Sequence, residues 1–238
     1  MSTLVFDIET VGEAWTDLDI STQEILSRWI QRNVLDKEQR DARMTDLKAG
    51  LGLSPVTGKI VAIGLYDIDR KQGAVYYTGV GNEKDSLYGE YVLKQRSEKE
   101  MLIDFWDGAK SYDTFVSFNG RSFNVPFLLH RSVVHKIIPT CSLMEHRYLY
   151  KQNGVKHVDL LDQLTFYGAM FRKPNLHLFC RAYGIQSPKI GGVYGDDIAE
   201  LFARKKFRDI ALYNTRDVTA TVLLYQKWQE YLAPEWFK

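Results

Sequence analysis

The chain has 238 residues, room for one large α/β domain or two small ones, and its 45% apolar content excludes global disorder. Lys plus Arg number 31 against 30 Asp plus Glu, so the chain is no bulk polyanion binder; any nucleic-acid contact must come from a local basic patch. Cys141 and Cys180 lack metal-like spacing, no stretch has membrane-spanning length and the N-terminus does not read as a signal segment, which together predict a soluble cytoplasmic protein with free thiols.

The first element is the run Leu4-Val5-Phe6-Asp7-Ile8-Glu9-Thr10, a buried strand interrupted by two acids two residues apart. Strand alternation puts Asp7 and Glu9 on one face. Two adjacent carboxylates repel, and burying them is costly unless a cation lies between them; a hard divalent ion with oxygen ligands fits that need. The alternative is a solvated strand end with two unrelated acids. Residues 12–52 form a polar segment with Ile20, Ile25, Leu26, Trp29 and Ile30 at roughly helical spacing and a second, charged helix over Asp36 to Lys48. It reads as a helical insertion within a single domain spanning 1–238.

After the Pro55–Gly58 turn, Lys59 to Ile68 and Ala74 to Thr78 predict a hairpin. Ser97 and Glu100 form a capping box opening a helix with Met101, Leu102, Phe105 and Trp106 on one side. Thr114 to Phe118 predicts a strand, Asn119-Gly120 a break and Phe123 to Val134 a helix. Asp159 to Phe166 suggests a further helix, and another runs from Pro174 to about Tyr183, stopped by Gly184. Gly191, Gly192 and Gly195 lack the Lys and spacing of a nucleotide loop and read as a plain connector. Helices over Asp196 to Lys205 and Phe207 to Tyr231 close the chain. In the last one, Ile210, Asn214, Asp217, Thr221, Leu224 and Trp228 share a stripe, so Asp217 faces inward with Tyr213 one turn before it. An inward, unpartnered Asp is rare.

In order, Phe6-Asp7-Ile8-Glu9-Thr10, Asn119-Gly120-Arg121-Ser122-Phe123-Asn124 and Tyr213-Asn214-Thr215-Arg216-Asp217 resemble the three acidic motifs of the tyrosine-type 3′–5′ exonucleases of the ribonuclease H-like superfamily. With the segment Leu53 to Gly64 between the first two motifs, the chain is similar over nearly its whole length to the predicted exonucleases related to the proofreading domain of family B DNA polymerases. The resemblance implies an α/β fold, a central mixed five-stranded sheet with helices on both faces. It implies a two-metal Mg²⁺ or Mn²⁺ site and single-stranded DNA or RNA 3′ ends as substrate. Asp7 would bridge both metals, Glu9 and Asp217 would complete the first site, and Tyr213 would orient the attacking water.

Asn124 stands where the second-motif acid is expected. It keeps an oxygen ligand but loses the charge, so the second metal should bind more weakly and catalysis should be impaired. Either the natural protein has lost or reduced catalysis, or an Asp-to-Asn change was introduced to stop cleavage; the well-kept flanks favour the latter. The competing function is a non-catalytic nucleic-acid-binding or scaffold module on the same fold. Thr10, Asn119 and Phe123 are candidate nucleic-acid contacts, Phe123 by stacking or as a core residue. Lys189, Arg204, Lys205, Lys206 and Arg208 are candidates to track a phosphate backbone, and His157 with Asp159 and Asp162 is a weaker candidate metal group than solvated helix-face acids.

Overall fold

The computed structural model describes residues 2–81, 83–189 and 195–237. The glycines 191 and 192 of the expected connector lie outside the described residues. Strand β1 (Thr3–Gly12) runs through the middle of a mixed sheet. Its period-two pattern sorts side chains into two cores. Leu4, Phe6 and Ile8 join one with α3 (Glu98–Ala109) and α4 (Asn124–Val134), while Val5 and Val11 join the other with α8 (Phe207–Tyr231). Asp7 and Glu9 therefore lie on the α8 side.

The hairpin forms as expected, β2 (Gly58–Asp67) antiparallel to β1 and to β3 (Gln72–Tyr77). The sheet has seven strands, not five: β4 (Ser86–Tyr88), β5 (Tyr91–Gln95), β3, β2, β1, β6 (Thr114–Ser117), β7 (Lys156–Asp159) in spatial order. β6 is parallel to β1, and β7 to β6. Four-residue β7 places His157 and Asp159 among its buried positions, so no apolar run announces it. Asp159 ends that strand instead of sitting on a helix face, and caps the short α5 (Leu160–Leu164) through the Leu161 N–H.

The segment 12–52, expected as a helical insertion, folds as α1 (Ile20–Asn33) and α2 (Lys37–Ala49), capped by Asp19 and Asp36. A 3₁₀ turn (Gly50–Leu53) returns the chain to β1, held by hydrogen bonds from the Thr10 hydroxyl to the Gly52 carbonyl (2.6 Å) and from the Thr57 hydroxyl to the Leu51 carbonyl (2.8 Å). Of the helically spaced residues on α1, only Ile30 is buried. The capping box of Ser97 and Glu100 is present. The helices α6 (Leu176–Ala182) and α7 (Ile198–Ala203) are shorter than the sequence pattern suggests, and Gly184 follows α6 with φ of 68° as its stop. Among the described residues no helix is long and apolar enough to cross a membrane, and both cysteines are free.

Candidate active site

α8 crosses the β1–β2 face closely because Gly64, the register partner of Asp7, has no side chain. A Cβ there would lie 2.0 Å from Asn214 Oδ1 and 2.7 Å from Val218 Cγ2. This approach brings the α8 stripe down onto the acids, with Ile210, Asn214, Thr221, Leu224 and Trp228 buried as the spacing predicts. One carboxylate oxygen from each of Asp7, Glu9 and Asp217 lies within 4.8 Å of the others, and among the described residues no other group of three His, Cys, Asp or Glu side chains converges in this way.

Two amides brace the cluster. Asn214 Nδ2 donates to Asp7 Oδ2 (3.1 Å) and to Glu9 Oε1 (3.2 Å). Its Oδ1 is buried without a hydrogen-bond partner, because turning the amide over would aim that oxygen at two carboxylates. Asn124, the first residue of α4 and almost fully buried, donates from Nδ2 to Asp7 Oδ1 at 2.9 Å. The side chain in the second-motif position thus reaches the Asp7 oxygen that Asn214 does not.

These two amides do not neutralise the cluster. Burial, then repulsion from Asp217, pushes the Asp7 carboxyl up to about 8. Burial, then Asp7 and Asp217, holds Glu9 well above the usual carboxylate range. Burial raises Asp217 to about 6, with the Tyr213 hydrogen bond and the nearby Arg216 and Lys189 pulling the other way. Burial and the same acids push the Tyr213 hydroxyl far up, so it stays protonated and donates to Asp217. Such a site favours a bound cation: the donors are all oxygens, of the hard type that suits Mg²⁺ or Mn²⁺. The residues fit the two-metal expectation, except that Asn124 offers the site a neutral amide where a fourth charge would stand.

The acids line an open cleft of about 400 Å³ with Asn119, Phe123, Asn124, Asn175, His177, Lys189 and Tyr213. Asn119 adopts a left-handed backbone (φ 56°), and its N–H and that of Arg121 donate to Asp159 at 2.9 Å each. Asp159 thereby shapes the turn that starts α4 and delivers Asn124. Phe123 lines the cleft and packs on Phe127 with ring centroids 5.0 Å apart. The Thr10 side chain is committed to Gly52. Of the basic candidates, Lys189 lines the cleft, Arg204 pairs with Glu200 (2.6 Å) and Arg208 donates to Ser86 (3.1 Å).

The second metal group does not form. His157 Nδ1 donates to the Leu143 carbonyl (3.0 Å), since a carbonyl can only accept, and Nε2 then accepts from the Ser117 hydroxyl (2.8 Å). Asp162 pairs with Arg147 (2.8 Å). Asn214, Asn175 and His177 escape the sequence reading; Asn214 alone left a signal there, its place on the Asp217 stripe.

A model of predicted 3′–5′ exonucleases related to the exonuclease domain of PolB matches residues 55–233, which include the second and third motifs but not the first. A DNA polymerase 1 of Sulfurisphaera ohwakuensis is 22% identical over 144 residues, 56% of this chain and 16% of that protein. The solved family B DNA polymerase of the archaeon Pyrobaculum calidifontis superposes with a TM-score of 0.57 at 16% identity, covering 96% of this chain and 24% of that one. The chain thus spans a quarter or less of these relatives, and the structural likeness shows a common fold.

Proposed function

The chain belongs to the predicted 3′–5′ exonucleases related to the exonuclease domain of PolB, on a ribonuclease H-like fold, and we propose that it is a metal-dependent 3′–5′ exonuclease of single-stranded DNA or RNA ends, slowed by Asn124. The observation that carries this reading is the convergence of Asp7, Glu9 and Asp217, from a strand and a helix, within 4.8 Å beside an open cleft. A bound pair of Mg²⁺ or Mn²⁺ ions supplies an activated water, neutralisation of the phosphate and support for the leaving oxygen. Asp7, Glu9 and Asp217 would hold the ions. Tyr213, protonated and donating to Asp217, would orient the water by accepting from it and does not remove its proton. Asn119, Phe123 and Lys189 position the terminal nucleotide and its phosphate.

A second reading, a strand-end binder without turnover, draws on one observation: the Asn124 amide donates to Asp7 Oδ1, so the site stands assembled without its fourth charge. The two readings separate on Asn124→Asp. The substitution keeps volume and adds a carboxylate at a buried position. Without metal it should lower the melting temperature; with Mg²⁺ or Mn²⁺ the loss should reverse by mass action. On a 5′-labelled single strand, Asn124→Asp should shorten the substrate from its 3′ end faster than the parent by orders of magnitude, with little change in affinity. Equal rates would remove Asn124 from the mechanism. If neither protein degrades under any metal, the exonuclease reading fails.

A further inference from the structure

Between Gln163 and Lys189 the sequence holds four cations, Arg172, Lys173, Arg181 and Lys189, and no Asp or Glu. The whole chain carries a formal +1, so everything outside this segment sums to −3. A charge imbalance of that kind in an otherwise balanced chain marks a polyanion-facing surface. The segment also supplies one wall of the cleft, through Asn175, Leu176, His177, Pro188 and Lys189.

Just before that wall the surface is aromatic. Phe171 is 98% exposed and Phe166 60%, and Tyr150, from the segment preceding β7, is 65% exposed. Tyr148 ties the two segments together: its ring lies 4.6 Å from Tyr167 and 5.9 Å from Tyr150 between centroids, and the Leu149 N–H donates to the Tyr167 hydroxyl (3.4 Å). Lys151 Nζ sits 5.9 Å and 5.7 Å from the Tyr148 and Tyr150 ring centres. Phe166 and Tyr167 both take left-handed backbone, with φ of 51° and 57°, a conformation unfavourable for bulky side chains. Strain of this kind persists where the surrounding structure fixes it and clusters at binding surfaces. Here it is spent on holding a phenyl ring in water, where burial would be favourable by default.

We propose that this aromatic and basic surface, residues 148–151 and 166–173, is a stacking platform for the nucleotides upstream of the terminal one in a single-stranded nucleic acid. Exposed rings interleaved with cations match the two demands of such a strand, a π-face for each base and positive charge for each phosphate, without sequence preference. A protein partner would also cover apolar rings, but nothing about it requires the absence of acids across the whole segment. The reach is right as well: Phe171 is four residues from Asn175, so the platform starts within about 14 Å of the cleft wall. The direction of the strand, terminal nucleotide in the cleft and upstream bases on the platform, rests on the exonuclease reading.

The test is binding in chelator, where cleavage plays no part. The anisotropy of a labelled oligothymidylate of about a dozen nucleotides, a length within the usual range of such sites, is compared with that of a trinucleotide. Phe171→Ala should weaken the longer oligomer on the order of tenfold and the trinucleotide much less. Its melting temperature should match the parent's, because the ring is 98% exposed. Lys173→Ala should lower the slope of log affinity against log salt by about 0.7 for the longer oligomer. The proposal is overturned if the parent binds no better to the longer oligomer than to the trinucleotide. It is equally overturned if both variants bind the longer oligomer as the parent does, which leaves the rings to a protein partner. The exonuclease reading fails separately: a length-dependent loss in Phe171→Ala alongside an inert Asn124→Asp protein would keep the platform and sink the catalytic assignment.

Discussion

Two regions of this molecule bury ionisable groups a few residues apart in space, and they do so in opposite ways. Around β7, His157 and Asp159 are fully committed: the imidazole bridges Leu143 and Ser117, and the Asp159 carboxylate accepts from the N–H groups of Asn119, Arg121 and Leu161. Around β1, Asp7, Glu9 and Asp217 are crowded together, and two amides, a tyrosine hydroxyl and the nearby Arg216 and Lys189 offset their charge without bringing Asp7 or Asp217 down to the usual carboxylate range. The first arrangement is complete as it stands and behaves as structure. The second leaves its charge unbalanced, which is what the proposed metal site calls for. Both groups contain side chains that can ligate metal, so residue type alone cannot separate them; what separates them is that around β7 a single carboxyl, raised by burial, is held by three N–H donors, whereas around β1 three carboxylates converge.

The largest test of that contrast is to remove one acid from each region in the Asn124→Asp background. Asp217→Ala should abolish Mg²⁺-dependent turnover, a loss of orders of magnitude, and remove the metal-induced rise in melting temperature. Asp159→Asn should leave a metal response in place while lowering stability by about 1–3 kcal/mol, since an amide cannot accept as well from three backbone donors. If Asp159→Asn erases the metal response and Asp217→Ala keeps it, the assignment of the two regions is reversed.

The next test is pH. Burial lowers His157 from its ordinary 6.5 to about 4, with its proton donation to the Leu143 carbonyl working against that shift. Between those values the unfolded chain binds a proton that the folded one refuses, so stability is complete above about pH 6.5 and falls as the pH drops toward 4, by on the order of 3 kcal/mol in total. The acids have the opposite sign. Asp7 and Asp217 are raised to about 8 and about 6, so in chelator the folded state holds protons the unfolded chain has released. Their contribution is present at low pH and fades as the pH rises toward 8. Melting temperature against pH for the parent and His157→Gln should therefore diverge below about pH 6.5. Added Mg²⁺ should flatten only the upper arm. Parallel curves for parent and variant would show that His157 titrates normally.

Much of the site was legible before the structure, and for physical reasons. The period of two put Asp7 and Glu9 together, and the helical stripe turned Asp217 inward toward them. The flanks of Asn124 located the start of α4. What the sequence hid is the supporting shell. β7 is four residues long and three of them are polar, so His157 and Asp159 carry no strand signal, and the sheet came out two strands larger than expected. His177 and Asn175 reach the cleft from α6 and its cap through tertiary placement that no local pattern encodes. Gly64 did leave a mark, a lone glycine inside the apolar run of β2, where a glycine signals close approach of another backbone.

That glycine sets the third test. In Gly64→Ala the new methyl would meet Asn214 Oδ1 at 2.0 Å and Val218 at 2.7 Å, and Asn214 is pinned by its bonds to Asp7 and Glu9. α8 must lift, at a cost of about 1–3 kcal/mol. Because Asp217 rides on the same helix, metal affinity should fall with stability. A variant that melts earlier but binds Mn²⁺ as before would mean that α8 yields without moving Asp217.

The smallest expected effect is Tyr213→Phe in the Asn124→Asp background. The ring is almost fully buried and its packing survives the change. Only the hydroxyl goes, and with it one hydrogen bond to Asp217. That hydroxyl stays protonated at every working pH, so its loss cannot remove a general base; it removes an orienting group for the water and one of the few donors the acids have. Turnover should fall about tenfold, equivalent to roughly 1.4 kcal/mol in the barrier. The pH at which the rate rises should move upward, because Asp217 loses a donor that favours its charged form. Stability in saturating Mg²⁺ should barely change. A fall of several orders of magnitude would instead make the hydroxyl indispensable to the chemistry, and an unchanged rate with a shifted pH profile would confine Tyr213 to tuning Asp217.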